Sequence, residues 1–576
     1  MKIALLYPPP WKMAARGQPG YPPGEGAPAD YRPGHLDGDF FQIPYGLMSL
    51  AAQLDRAGYP VKLLNLSAFA WPAVESVIGT LGADVWGLSC FTANRRGVAM
   101  VASAIKRLHP SAFVIVGGPH PTALPREMLE HHPSIDAVAV GEGEETLLSV
   151  VEGLASGRGV AGIEGLAWRE GGRVVVGGRR ARMRRLDDLA SPHEKFETHL
   201  MVTSRGCPGR CTFCATKSVW GNAYRVHSEQ RVLDDLERTL RRVPLKMLMI
   251  KDETFSASRK RAMRICEGIR ERGMKFAWSC DTRADALDED LVRAMRLAGC
   301  ERLSLGVESG APRVLKAIGK NITPDRVLET TRLAKKYGLP VRFFMMLGNR
   351  GETAETFQQS LRFLERAAPH QYLFACLSVY PGTQDFADLQ RDGRLDSDVY
   401  FEGDFQELKM PYDASDRDTQ AMMTWFERHA GIQVGYQQTV EDSEAVARLL
   451  PGHAGAQLDL GAAYYRAGQW DQAEKHVRAA LDLGHPLPGL AHNYLACVAN
   501  QRGDIDAMIG HLRDAQADPW HPVLMANRQR VDRWLSQGGR ARGLPLQLEA
   551  RHDFELFLRA VQPSMPGPLP DGWSTW

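Results

Sequence analysis

Cys207-Pro208-Gly209-Arg210-Cys211-Thr212-Phe213-Cys214 is the stretch on which the reading of the chain turns. Three cysteines at spacings of four and three, with an aromatic before the last, suit an iron-sulfur cluster better than a disulfide framework. Four thiolates complete a [4Fe-4S] cube, so three leave one iron open to bind and activate a ligand. Zinc would want a fourth ligand close by, and the next histidine along the chain, His227, lies thirteen residues beyond Cys214. Three unrelated thiols are the remaining alternative.

The chain of 576 residues has length for several domains, each with a full core. Its 70 basic and 68 acidic side chains leave no electrostatic footprint for nucleic acid. The other cysteines, at 90, 266, 280, 300, 376 and 497, do not pair as in a secreted scaffold, and a reducing cytoplasm fits them. Met1 to Tyr7, followed by Pro8-Pro9-Pro10, reads as a first strand and not as a signal peptide. No apolar run approaches the ~20 residues of a transmembrane segment.

Working outward, residues 1–190 alternate short apolar runs with helical patterns, the rhythm of a doubly wound, Rossmann-like parallel sheet. Ligands of such sheets lie beyond the carboxyl ends of the strands. Ser89, Gly117-Gly118-Pro119-His120 and Gly141-Glu142-Gly143-Glu144 follow strand-like runs there. A Gly- and Pro-rich stretch over 13–40 reads as a lid or an excursion. The arginine-rich segment after Arg173-Val174-Val175-Val176 reads as a hairpin and a solvated connector. Residues 191–430 contain six strand-like runs with helices between, as in a partial (β/α)6 barrel, whose reactive groups belong at the carboxyl ends of the strands. Residues 431–576 turn helical. Leu460-Gly461, Tyr464, Gly468, Ala473, Ala480 and Pro486 fit a tetratricopeptide (TPR) pattern, repeated thirty-five residues later by Leu495-Ala496, Gly503, Ala515 and Pro519. Such repeats are expected to pack on the barrel or on flanking helices, and to serve either as a cap or as a docking surface.

The CxxxCxxC motif resembles the signature of the radical S-adenosylmethionine (SAM) enzymes, in which SAM chelates the open iron. The first domain resembles the cobalamin-binding domain that precedes the SAM domain in one large class of that family. The resemblance implies three cofactors: a [4Fe-4S] cluster on Cys207, Cys211 and Cys214, SAM, and cobalamin. It implies cobalamin contacts at Ser89, Gly117, Gly118, His120, Gly141 and Glu142. The Asp-x-His-x-x-G loop that supplies a histidine to cobalt in many cobalamin proteins is absent, and Pro8-Pro9-Pro10-Trp11-Lys12 stands after the first strand. For SAM it implies Phe213, then Asp252 or Glu253 for the ammonium and Arg283 for the carboxylate. Glu308, in a G-x-E-S-G match, would meet the ribose or amino group. Gly348 opens a loop in which Arg350 replaces the usual proline, a change expected to affect stiffness more than chemistry. Cys280 and Cys376, near strand ends, are candidates for contact with cobalamin or substrate.

The family further implies methylation of an unactivated carbon of a small-molecule or carrier-bound substrate, through a 5'-deoxyadenosyl radical and methylcobalamin. Such a carbon is neither acidic nor nucleophilic, so acid-base catalysis does not reach it. A one-electron donor such as flavodoxin or ferredoxin is then required, and the TPR-like region offers a surface for a protein partner or self-association. The alternatives are an oxidative cyclase or rearrangement enzyme on the same scaffold, and a non-catalytic adaptor.

Overall fold

The computed structural model describes residues 1–9, 44–402, 415–518, 521–539 and 545–552, apart from positions 68, 70, 244 and 430. The stretch read as a lid, 13–40, lies outside the described residues. In the first domain β1 (Ile3–Tyr7), β2 (Val61–Asn65), β3 (Val85–Ser89), β4 (Phe113–Gly117) and β5 (Ala137–Ala139) run parallel. The hairpin β6 (Leu166–Glu170) and β7 (Arg173–Val176) joins antiparallel, for the order β2-β1-β3-β4-β5-β6-β7. All five residues of β1 are buried because both faces of the sheet are covered. Ala4 and Leu6 enter one apolar core, and Ile3, Leu5 and Tyr7 the other. The strand order reverses between β1 and β3, the crevice where doubly wound sheets hold ligands, and Ser89 and Gly117 end β3 and β4 beside it.

The second sheet contains β8 (Leu200–Met201), β11 (Met247–Ile250), β12 (Ala277–Thr282), β13 (Cys300–Glu308), β14 (Val341–Leu347), β15 (Gln371–Cys376) and the antiparallel edge strand β16 (Ile432–Val434). Between β8 and β11 a small ladder pairs β9 (Ser204–Arg205) with β10 (Arg225–Val226). The order β16-β15-β14-β13-β12-β11-β8 provides the six parallel strands expected of a partial barrel. Alternation of side chains separates its two faces. Leu248, Ile250, Trp278, Cys280, Leu303 and Leu305 enter the core shared with the helices. Met247, Met249 and Ala277, on the opposite face, pack with Leu458, Ala462, Leu490 and Tyr494 of the C-terminal region.

That region is an array of helices, among them Ala454–Arg466, Trp470–Asp482, Pro488–Arg502 and Ile505–Asp514. Gly461 lies where two of them cross, since a Cβ there would come within 2.6 Å of a Val477 methyl. Packing on the barrel is as expected, and it includes a charged joint. Arg296, fully buried on the helix Glu289–Leu297, donates to Asp459 at 2.6 Å and to Glu301 at 2.5 Å, and His552 bonds the other Asp459 oxygen at 2.9 Å. Among the described residues no helix is long and apolar enough to cross a membrane.

Removing Arg296 would leave the half-buried carboxylates of Glu301 and Asp459 without its charge, at a cost below the ~3–5 kcal/mol of a fully buried pair. Arg296→Ala is therefore expected to melt at lower temperature and to open the C-terminal helices to limited proteolysis. A wild-type melt and cleavage pattern would mean that apolar packing alone holds them.

Candidate active site

The cysteine loop leaves the barrel after β8 and is fixed at its root by Asp252, which follows β11. One Asp252 oxygen accepts from the backbone N–H groups of Thr203 at 2.6 Å and Ser204 at 3.0 Å, and the other from the Thr203 hydroxyl at 2.6 Å. This corrects the reading of Asp252 as a SAM contact: its carboxylate is buried and committed to the loop. Gly206 then turns at φ 89°, where a Cβ would fall 2.2 Å from the carbonyl oxygen of Ala223. Farther along, Thr212 donates its N–H to Ile318 and accepts from the N–H of Asp385, at 2.9 and 3.1 Å.

The three thiols are half-buried, whereas Cys90, Cys266, Cys280, Cys300 and Cys497 are fully buried. Cys207 Sγ accepts from the N–H of Gly209 at 3.3 Å and lies 3.3 Å from the Thr254 hydroxyl. A Cβ on Gly209 would sit 3.3 Å from Cys207 Sγ, 4.0 Å from Cys211 Sγ and 3.1 Å from an Arg283 nitrogen, so a bare backbone lets these groups gather. Three thiols gathered on one short loop suit a cluster in which each thiolate meets its own iron. His227 is no fourth ligand, since its Nδ1 faces Asp187 at 3.0 Å.

Around this loop stand the strand ends. Glu253 accepts from the N–H of Gly206 at 3.2 Å, and burial pushes its carboxyl up. Arg283 leans toward the thiols while Asp285 holds its guanidinium at 2.8 and 2.9 Å. Glu308 ends β13 with φ 69°, left-handed for a residue with a Cβ; such backbone strain costs about 1–3 kcal/mol. Its carboxylate meets Lys320 at 2.7 Å, both groups buried. Gly306 makes room, for a Cβ there would touch both partners. Burial pushes the Cys211 thiol up, and Lys320 opposes that shift. No motif in the sequence pointed to Lys320.

Gly348, at φ 83°, donates its N–H to Glu352 at 2.6 Å, and Asn349 adds a bond at 3.0 Å. Arg350, in place of the usual proline, bridges Asp385 at 2.8 Å and Asp388 at 2.7 Å, so an ion pair holds the loop. Phe213 packs between the barrel core and an apolar cluster that includes Leu124 of the first domain. Cys280 is core: it is buried beside Cys300 and Cys266, and burial pushes its thiol well up. Cys376 faces Met423, sulfur to sulfur at 3.9 Å.

On the first domain, His120 is buried, and burial pushes its imidazole down to about 3, so it is neutral. Its Nδ1 meets the Thr92 hydroxyl at 3.1 Å, its Nε2 has no hydrogen-bond partner among the described residues, and the rings of Tyr400 and Phe401 lie 6.0 Å away. Gly118 is bare for a local reason, as a Cβ would fall 2.5 Å from the carbonyl oxygen of Cys90. Gly141 turns at φ 89° and donates its N–H to Thr122 at 3.1 Å. Glu142 is turned to the barrel instead of the crevice, pairing with Arg205 at 3.2 Å and with Arg225. Glu144 also grips Arg205 and accepts from Ser49 at 2.9 Å, while Trp220 lies 4.9 Å from that guanidinium. The connector arginines are likewise not merely solvated: Arg179 donates to the Ser218 carbonyl at 2.9 Å and Arg180 pairs with Glu145 at 3.5 Å.

The B12-binding domain model matches residues 39–151, and the radical SAM superfamily model matches 201–364. An uncharacterized methyltransferase of Pyrococcus horikoshii is 31% identical over 354 residues, which are 59% of this chain and 77% of the relative. The chain belongs to the cobalamin-dependent radical SAM family. The anaerobic magnesium-protoporphyrin IX monomethyl ester cyclase of Rubrivivax gelatinosus is 26% identical over 334 residues, 55% of this chain and 60% of the cyclase. The fold is similar to that of TsrM, a radical SAM methyltransferase from Kitasatospora setae solved with tryptophan substrate and a SAM analogue. Its TM-score is 0.55 at 18% identity, over 68% of this chain and 76% of TsrM.

As a radical SAM enzyme with a cobalamin domain, the chain uses a [4Fe-4S] cluster, SAM and cobalamin, and the adaptor reading falls away. The residues present fit these groups: three half-buried thiols on one short loop and, beyond β4, a neutral imidazole whose Nε2 has no hydrogen-bond partner among the described residues.

Burial raises the Glu352 carboxyl to about 7. The folded state then holds a proton that the unfolded chain releases above its ordinary pKa near 4.3, so stability falls as pH rises from about 4 to 7. Glu352→Gln should match the wild type in chemical unfolding near pH 4 and exceed it at pH 8, by up to about 3 kcal/mol. A difference that does not change with pH would refute the shift.

Proposed function

We propose that this enzyme methylates an unactivated carbon of a small-molecule or carrier-bound substrate. The observation that carries the reading is Arg205, two residues before Cys207, held by Glu142 and Glu144 of the cobalamin domain, which joins the thiol loop to the carboxyl edge of that domain's sheet. Cys207, Cys211 and Cys214 hold three irons and leave the fourth to SAM. Glu253 and Arg283 flank the loop as partners for the ammonium and carboxylate of SAM, with Glu308 and the backbone of Gly348 beyond them and Phe213 beneath. Ser89, Gly117, Gly118, Gly141 and His120 line the cobalamin side; Glu142 serves as the joint. When bound, the cofactors supply hydrogen abstraction and a transferable methyl group. The chain's own part is to bring the two sites together and to keep their surroundings fixed.

The domains run over 1–190, 191–430 and 431–576, the last TPR-like and available to a partner or a second copy. A one-electron donor such as flavodoxin or ferredoxin and a cytoplasmic setting complete the reading. An oxidative cyclase on the same scaffold is the alternative; the relative of higher identity is a methyltransferase, which favours methylation.

Anaerobic reconstitution with iron, sulfide and cobalamin tests this. The wild type should show cluster and cobalamin absorbance and release 5'-deoxyadenosine from SAM. Cys211→Ala should lose the cluster and the cleavage yet retain cobalamin. Wild-type protein that binds no cobalamin would end the methyltransferase reading while leaving the radical SAM chemistry standing. Once a substrate is known, a methylated product with S-adenosylhomocysteine separates methylation from cyclisation.

A further inference from the structure

Far along the chain from the thiol loop, His492 on the helix Pro488–Arg502 faces His511 and Asp514 on the helix Ile505–Asp514. The two Nδ1 atoms lie 3.4 Å apart, and His492 Nδ1 lies 3.9 Å from an Asp514 oxygen. One donor atom from each of the three residues falls within 4.8 Å of the others. We propose that these residues form a site for a divalent transition-metal ion of the zinc class, which staples the two helices together.

Three observations support the geometry. Two nitrogens on one tetrahedral zinc, each at about 2.0–2.1 Å, stand about 3.4 Å apart, as the imidazole nitrogens do here. The same separation is long for an N–H···N hydrogen bond, and that bond would give Asp514 no part. His511 and Asp514 are three residues apart, so one helix face presents both, and the Asp514 side chain is 58% exposed, free to swing the last few tenths of an ångström. The nearby positive charge is Arg478, which is held by Glu474 at 2.7 Å and so does not oppose an incoming cation alone. Nitrogen and carboxylate donors of this kind favour zinc and its first-row neighbours over magnesium or calcium, with water completing the coordination.

The proposal stands apart from the function proposed above and is tested apart from it. The full chain carrying C207A, C211A and C214A, which removes the competing thiols of the loop, is titrated with Zn2+ by calorimetry; the cluster-loaded enzyme is titrated in parallel. Both should bind a single zinc per chain. His492→Ala and His511→Ala should abolish that binding, and Asp514→Asn should weaken it by about tenfold or more. Co2+ in place of zinc should give the visible absorption of a site with four or five ligands. Zinc should also raise the melting temperature of the chain but not of the histidine variants, because a ligand bound only to the folded state stabilises it. Asp514→Asn changes an exposed side chain by one atom, so it decides the matter even where a histidine variant fails to fold. Absence of zinc binding at about 100 µM, or equal binding by all three variants, would overturn the site.

Discussion

A buried knot of charge sets the geometry of this enzyme. Arg205 and Arg225, on the two short strands beside the thiol loop, meet Glu142 and Glu144 just past β5 of the other domain. The side chains of this knot are about nine-tenths buried. Removing such charges from water is unfavourable unless partners stand at the right distance and angle. A slip between the domains would leave a carboxylate facing a void, so the ion pairs favour one relative placement more strongly than an apolar seam would. The cation that the cobalamin domain grips is two residues from the first thiol. Displacement of one domain is therefore felt directly in the other.

The same economy of charge recurs around the barrel mouth. Asp252 roots the thiol loop, Glu352 gathers the backbone of Gly348 and Asn349, and Asp385 with Asp388 secures Arg350. These acids face their own loops, which leaves Glu253, Arg283 and the Glu308–Lys320 pair as the charged groups nearest the thiols. The left-handed backbone at Glu308 belongs with this division of labour. It turns a strand-end carboxylate into the crowded space opened by Gly306, at a cost that the buried lysine helps to offset.

Much of this was legible in the sequence, and the exceptions share a cause. The parallel strands were readable because both faces of each sheet are covered, so apolar runs such as Ile3-Ala4-Leu5-Leu6 survive unbroken. The thiol loop was readable because its ligands are close in sequence. Asp252 and Glu142 were misjudged because a carboxylate after a strand looks the same whether it faces a ligand, a backbone or an arginine some sixty residues away in the chain. Lys320 was missed because nothing in its own stretch of sequence marks it as the partner of a carboxylate at the end of β13. Cys280 lies near a strand end as expected, yet the alternation of β12 turns it toward the helices.

The packing of Met247, Met249 and Ala277 against Leu458, Ala462, Leu490 and Tyr494 has a consequence for traffic. Met247 and Ala277 open their strands, opposite the end from which the thiol loop emerges. The helical array thus covers this part of the barrel face. Passage through that side is obstructed by packed side chains, whereas the cysteine loop and the neighbouring cobalamin domain stand toward the other end of the strands. A reactive species made at the thiol loop is therefore shielded on the side that these helices cover.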